Sequence, residues 1–213
     1  KTQGALLRWD DYRHYAERFN AMEPEGIVQA IPNSRPAEWM EDNIPLLDCP
    51  DKQIEEMFYY RWWTLRKAIR ETPQGYVMNE FLVPRSYADK YNLISCALGH
   101  HVMESRWLRD NRYIEDNIRV WLRGGEGGSP MSRLDVFSSW LPWAMWQRSL
   151  QQGGTQWMTG YNHDLQNLVS RWEQTHLYAD SLFWQRDVND GMEEQISGAR
   201  KKSNRRPTIN SYM

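Results

Sequence analysis

"DKQIEEMFYYRWWTLRKAI", residues 51–69, decides how the chain is read. Its apolar residues fall at Ile54, Met57, Phe58, Trp62, Leu65 and Ile69, a spacing of three and four that predicts an amphipathic helix with this stripe facing the core. Upstream, "DDYRHYAERFNAM" (10–22) sets Tyr12, Tyr15, Phe19 and Met22 on a comparable face. Between them, "AIPNSRPAEWMEDNIPLLDCP" (30–50) is broken by Pro32, Pro36, Pro45 and Pro50, so extended packing is expected there, with at most a short helix around Glu38 to Asp42. Downstream, the turn signal "TPQG" (72–75) leads into "YVMNEFLV" (76–83), whose partial alternation suits a short strand pair.

Helices dominate the remainder. "KYNLISCALGHHVMESRWL" (90–108) carries Ile94, Leu98, His101 or Val102, and Ser105 on one side; "NRYIEDNIRVWL" (111–122) continues with Ile114, Ile118 and Trp121 before "GGEGG" (124–128) stops it. "SSWLPWAMWQRSL" (138–150) opens with serines read as caps and with Pro142 in the first turn, and "NHDLQNLVSRWEQ" (162–174) aligns Leu165, Leu168, Val169 and Trp172. "RPTINSYM" (206–213) begins another helix at Pro207. No repeat of fixed period and no low-complexity stretch interrupts this series. An all-α chain of helical hairpins with minor β-hairpin elements is the expected class.

Composition narrows the function. The 213 residues carry a net charge of -2, with 40% hydrophobic and 25% charged residues, the profile of a folded globular chain. Near-neutral charge gives no footprint for nucleic acid, and no stretch approaches the roughly 20 apolar residues of a membrane-spanning helix; neither partner is expected. Cys49 and Cys96 form no C-x-x-C pair and are read as buried, inert thiols. His100 and Glu104 lie one helical turn apart without a third ligand in register, so no metal is expected, and "GGEGG" lacks the strand and Lys-Ser/Thr of a phosphate cradle, so no cofactor is expected either.

Two features call for a ligand. The chain holds 12 Trp and 11 Tyr, residues whose flat apolar faces suit the C–H faces of sugar rings. And "RDVNDGMEEQISG" (186–198) crowds Asp187, Asp190, Glu193 and Glu194 next to Phe183 and Trp184. Like charges held together raise the pKa of whichever carboxyl is most buried, which keeps an acid protonated near neutral pH. The competing reading is a solvated acidic stretch offset by Arg200, Lys201, Lys202, Arg205 and Arg206. Trp62, Trp63, Trp143 and Trp172, embedded in helical periodicity, read as core.

Taken together, "EDNIPLLDCP", "EEMFYYRWWTLRKAI", "SYADKYNLISCALGHHVMESRWLRD", "FSSW" and "NDGMEEQISG" followed by "RPTINSYM" resemble the six-hairpin (α/α)6-toroid glycoside hydrolases of the trehalase and processing α-glucosidase type, in particular bacterial members similar to mannosylglycerate hydrolase. The likeness runs through nearly all of residues 27–213. Gly191-Met192-Glu193 resembles the clan's Ser-Gly-aromatic/Met-Asp signature, whose last acid is the general acid, with Asp190 standing where Ser is usual and Glu193 where Asp is usual. The resemblance implies an exo-acting, inverting glycosidase with Glu193 as general acid and with Asp190 and Glu194 as reserves. It implies sugar contacts from the loops that enter the inner helices: Arg85, Tyr87, Lys90, Tyr91 and Asn92; Phe137, Ser139 and Trp140; Arg206, Asn210 and Ser211.

On this reading residues 1–50 form an N-terminal helix and a Pro-rich packing segment, and residues 51–213 supply the first hairpins of a catalytic domain. The catalytic base is expected in later hairpins, with the remainder of that domain packed on residues 135–213. The location implied by analogy is periplasmic or secreted. Two rival classes remain open, a sugar-binding module without catalysis and a purely structural helical domain.

Overall fold

The helix at residues 51–69 organises the first half of the molecule. In the computed structural model, which describes residues 6–191 and 200–213, it spans Lys52–Ala68 (α3). Asp51 caps it, its carboxylate accepting from the backbone N–H groups of Gln53 and Ile54. Before it lie α1 (Arg13–Met22) and α2 (Pro36–Asn43), the latter covering the short helix expected near Glu38 with Pro36 in its first turn. After it, β1 (Ile69–Thr72) and β2 (Gly75–Met78) form an antiparallel hairpin in which Ile69 faces Met78 and Thr72 faces Gly75. Gly75 takes φ of +123°, and a Cβ there would sit 2.6 Å from the Asp116 carboxylate; both conditions call for glycine.

The buried stripe of α3 differs from the expected one. Tyr59, Trp62, Trp63 and Leu65 are buried, whereas Ile54 and Met57 are more than half exposed, as is Met22 on α1. Aromatic area decides the rotation. Tyr15 of α1 stacks on Tyr59 at 5.0 Å and Phe19 meets Trp63 at 5.9 Å, and turning these rings inward carries Ile54 and Met57 outward. Polar groups are drawn in with them: Glu55 accepts from Tyr15 Oη (2.8 Å), Cys49 N (2.9 Å) and Lys52 Nζ (2.9 Å), while Arg66 Nη1 donates to the Ile31 carbonyl at 2.8 Å and its Nε has no partner among the described residues. Burial pushes the Glu55 carboxyl upward, but these donors outweigh it and hold its pKa below the ordinary value.

The second half comprises α4 (Leu98–Ser105), α5 (Arg112–Arg123), α6 (Leu141–Gln152), α7 (Asn162–His176), β3 (Trp184–Arg186), β4 (Ser203–Arg205) and α8 (Pro207–Tyr212). Its core gathers Leu98 and Val102 of α4, Ile114, Ile118 and Trp121 of α5, Met145 of α6, Trp172 of α7 and Ile209 of α8. The first hairpin bridges the two cores, since Met78 packs into the first and Val77 into the second. On α5, Asp116 and Asn117 accept from the backbone N–H groups of Tyr76 and Met78, both at 3.1 Å, and so close the outer edge of β2.

Pro142 lies in the first turn of α6, but the serines before it do not cap the helix. Trp140 holds the N-cap position, and Ser138 Oγ and Ser139 Oγ are buried without a hydrogen-bond partner among the described residues. Gly153 ends the helix in the left-handed region. On α7, Leu168 and Trp172 are buried and Val169 is exposed. One face of α6 stays open to solvent: Trp143, Trp146 and Leu150, spaced three and four apart, are 49%, 44% and 57% exposed. The described residues are thus mainly α-helical, with two small antiparallel sheets.

Candidate functional site

The acidic stretch starts from a frame of paired strands. β3 and β4 run antiparallel, with Trp184 opposite Arg205, Gln185 opposite Asn204 and Arg186 opposite Ser203. Gln185 and Asn189 donate side-chain N–H bonds to the Val136 carbonyl at 3.2 and 2.9 Å, and Ser138 N donates to the Asn189 carbonyl at 2.9 Å. This ties residues 185–189 to the chain that leads into α6.

Arg206, at the N-cap of α8, enters between the two acids. Its Nη1 donates to Asp187 Oδ1 at 2.6 Å and its Nε to Asp190 Oδ2 at 3.2 Å; all three side chains are buried. Thr208 Oγ1 also donates to Asp190 Oδ2. Asp190 Oδ1 is buried with no hydrogen-bond partner among the described residues, a condition that costs free energy unless a donor reaches it. Asp187 and Asp190 are therefore organised by a shared guanidinium, which corrects the reading of Arg206 as a solvated counter-charge. Glu193 and Glu194 lie outside the described residues.

Gly191 follows in the left-handed region, φ +71°, and a Cβ on it would approach Cys96 Sγ to 3.1 Å. Cys96 is part-buried, and burial raises its thiol pKa, with the charges of Glu80 and Asp190 adding to the effect. Four residues further along the same segment His100 stands against Trp140 in an edge-to-face contact of 4.8 Å, and Trp140 meets Trp143 in the same way at 5.4 Å. Gly99 permits this approach, because a Cβ there would fall 2.6 Å from the Trp140 indole. Together with Ser211 and Tyr212 these three rings line a cleft of about 550 Å³. The Tyr212 phenol is raised first by burial and then by the charges of Asp190 and Cys96, so the cleft and the acid node adjoin.

The site residues expected from the sequence fall into two groups. Asp190 and Arg206 belong to the node, Trp140 and Ser211 line the cleft, and Asn210 and Ser139 adjoin these in sequence. Within this group Asn210 spends its amide on the frame, accepting from Phe183 N at 2.9 Å and donating to the carbonyls of Phe183 and Arg206 at 2.8 Å. Phe137 is half-buried just before the unpartnered serines. The second group, Arg85 to Asn92, builds its own loop. Asn92 accepts from Arg85 N at 2.8 Å and donates to the carbonyls of Phe81 and Val83 at 2.6 and 3.2 Å, which leaves its amide occupied. The carbonyl of Tyr87 accepts from Arg133 at 2.7 Å, Arg85 lies over Phe81, and Lys90 lies over the ring of Tyr91 at 4.7 Å. Lys90 also lines a different hollow, with Ser132 and Gly124.

Trp143 is the clearest departure. Helical periodicity assigns it to the core, yet it is half exposed on the cleft; Trp62, Trp63 and Trp172 are buried as expected. His100, Tyr212 and Thr208 were not among the expected contacts. The three-residue step from Trp140 to Trp143 was the available signal, since it puts both rings on one side of α6. Glu104, one turn from His100, is bound to Arg61 at 2.6 Å, and among the described residues no group of three or more His, Cys, Asp or Glu side chains is placed to share a metal.

Residues 90–213 match the family described as the mannosylglycerate hydrolase MGH1-like glycoside hydrolase domain. The chain belongs to this family. The MGH1-like match covers more than half of the sequence and includes the acid node, the Trp140 cleft and α8, while Arg85 and Tyr87 precede it. A solved structure titled "Sialidase" is 56% identical and superposes with a TM-score of 0.93 over 97% of this chain. The MGH1-like chain spans only 19% of that structure's length.

Proposed function

We propose that this chain is part of the catalytic domain of an exo-acting, inverting glycoside hydrolase, with Glu193 as general acid. The observation that carries the reading is the junction of an aromatic cleft with a rigid carboxylate node whose chain leads, through Gly191, into Glu193. A sugar ring stacked on Trp140 or Trp143 would present its hydroxyls toward Ser211, Tyr212 and Asp190. Asp190, with one oxygen on Arg206 and Thr208, is suited to positioning rather than to giving up a proton.

Inversion uses two carboxyl groups about 6.5–9.5 Å apart. Glu193 gives its proton to the leaving glycosidic oxygen as the C–O bond breaks, while a carboxylate on the opposite side of the ring takes a proton from the water that attacks the anomeric carbon. The base belongs to a part of the protein beyond these 213 residues, in an (α/α)6 toroid of which α3–α8 contribute early hairpins. The open face of α6, within residues 135–213, is the surface on which that remainder packs. The family membership and the exposed Trp146 and Leu150, beside the cleft-lining Trp143, support this arrangement.

The test is Glu193→Gln in the longer protein that carries this domain, assayed by release of reducing sugar. The expected loss in kcat is about 10²–10⁴, with binding nearly unchanged. Turnover equal to wild type would rule out Glu193 as the acid; saturable sugar binding without any turnover in the parent protein would favour a non-catalytic binding module.

A further inference from the structure

A second hollow, of about 350 Å³, opens between α2, β2 and the start of α5, away from the Trp140 cleft. Its wall is aromatic: Trp39 meets Tyr113 edge-on at 6.0 Å, and Tyr113 meets Tyr76 at 4.8 Å. Tyr113 Oη accepts from Trp39 Nε1 at 3.1 Å, which leaves its own O–H to donate. Asn43 lines the same hollow and is only 6% exposed. Its Nδ2 donates to the Trp39 carbonyl at 3.0 Å, which fixes the amide, and its Oδ1 has no hydrogen-bond partner among the described residues. A buried acceptor without a donor costs free energy that a ligand hydroxyl would relieve.

The lining carries Arg35 and Arg112 with Glu38, Asp42 and Asp110, and Glu38 lies 3.7 Å from Arg13. Arg35 and Asp42 are exposed there, and among the described residues the side chain of neither makes a hydrogen bond or ion pair. The neighbouring Arg112 is already held by both oxygens of Asp110, at 3.0 Å through Nε and 2.6 Å through Nη2.

We propose that this hollow binds a neutral polyhydroxylated ligand, a mono- or disaccharide. Arg35 can only donate, Asp42 and Asn43 Oδ1 can only accept, and a sugar hydroxyl does both. An anion would meet the carboxylates of Asp42 and Glu38, and a simple cation would meet Arg35, so the lining favours a ligand without net charge. Trp39 and Tyr113, each 7% exposed, and the half-buried Tyr76 give the hollow a narrow apolar side, and the volume lies within the range of roughly 300–1,000 Å³ typical of small-molecule sites. This site stands on its own residues and does not depend on the reading of the Trp140 cleft.

The experiment is an NMR titration of the 213-residue chain with glucose, mannose, maltose and mannobiose, following the Asn43 side-chain amide and the Trp39 indole. At least one of the four sugars should shift both signals saturably. Arg35→Ala and Asp42→Asn, both at exposed positions and with their folding checked by circular dichroism, should each weaken binding by about tenfold, the worth of one hydrogen bond to a charged group. Trp143→Ala should leave it unchanged. The proposal is overturned if none of the four sugars shifts Asn43 and Trp39, if both rim variants bind as wild type does, or if acetate or ammonium shifts these signals in place of the sugars. Sugar-induced shifts confined to Trp140 and Trp143 would also overturn it, while leaving the cleft reading intact.

Discussion

Replacing Arg206 by Met would remove the guanidinium that touches both Asp187 and Asp190 while keeping most of the side-chain stem in place. Breaking a buried ion pair from one side typically costs about 3–5 kcal/mol, because the remaining charge is left desolvated. Here two carboxylates lose the same partner, at 2.6 and 3.2 Å. Each keeps some support, however, since Thr208 still donates to Asp190 and Asn204 to Asp187 at 3.4 Å. The lower end, about 3 kcal/mol, is therefore expected. For a domain of this size about 1 kcal/mol moves Tm by roughly 2–4 °C, so Arg206→Met should lower Tm by about 6–12 °C at pH 7. Adding Asp187→Asn and Asp190→Asn to the same chain removes the stranded charges and should restore more than half of the loss. Thermal and urea denaturation of the wild type, the single variant and the triple variant supply the comparison. A single variant within about 1 kcal/mol of wild type, or a triple variant no better than the single, would refute the argument that buried charge holds this node together.

Four further outcomes follow from the same physics. His101 has its pKa lowered to about 4, first by burial and then by the neighbouring His100, and its Nδ1 is buried without a hydrogen-bond partner among the described residues. Its folded value thus lies below the unfolded value near 6.5, so the unfolded chain binds the extra proton and stability falls as pH drops from about 6.5 to 4, by at most about 3 kcal/mol. Urea titrations at pH 7, 5 and 4 should show this component in the wild type and its absence in His101→Phe. Trp172→Ala, at a position 2% exposed, should cost about 3–5 kcal/mol by the same measurement, whereas Trp143→Ala should change stability by less than about 1 kcal/mol and weaken sugar binding at the cleft. Trp146→Asp should reduce any concentration-dependent association of the isolated chain in sedimentation velocity, because it puts a charge in the middle of the open face of α6; unchanged association would place the contact elsewhere.

Much of the helical order was readable because apolar spacing and Pro/Gly punctuation act locally. Ile114, Ile118 and Trp121 of α5, the stop at Gly124 and the start at Pro207 all follow from residues within one or two turns. What periodicity could not settle was which side of an aromatic-rich helix faces inward. On α3 both Ile54/Met57 and Tyr59/Trp63 form plausible stripes, and the choice belongs to Tyr15 and Phe19, about forty residues away in sequence. Trp143 misled for the same reason. The acid node was legible as a cluster of carboxylates but not as a shared ion pair, since Arg206 looked like one member of a basic run. Its partners became visible only once β3 and β4 had brought residues 186 and 203 side by side.

That pairing also couples the strands to the acids. Arg186 and Ser203 face each other across the strand pair, which holds two stretches distant in sequence side by side. Asp187 and Asp190 follow one strand and Arg206 follows the other, so the buried ion pairs and the strand ladder hold or fail together.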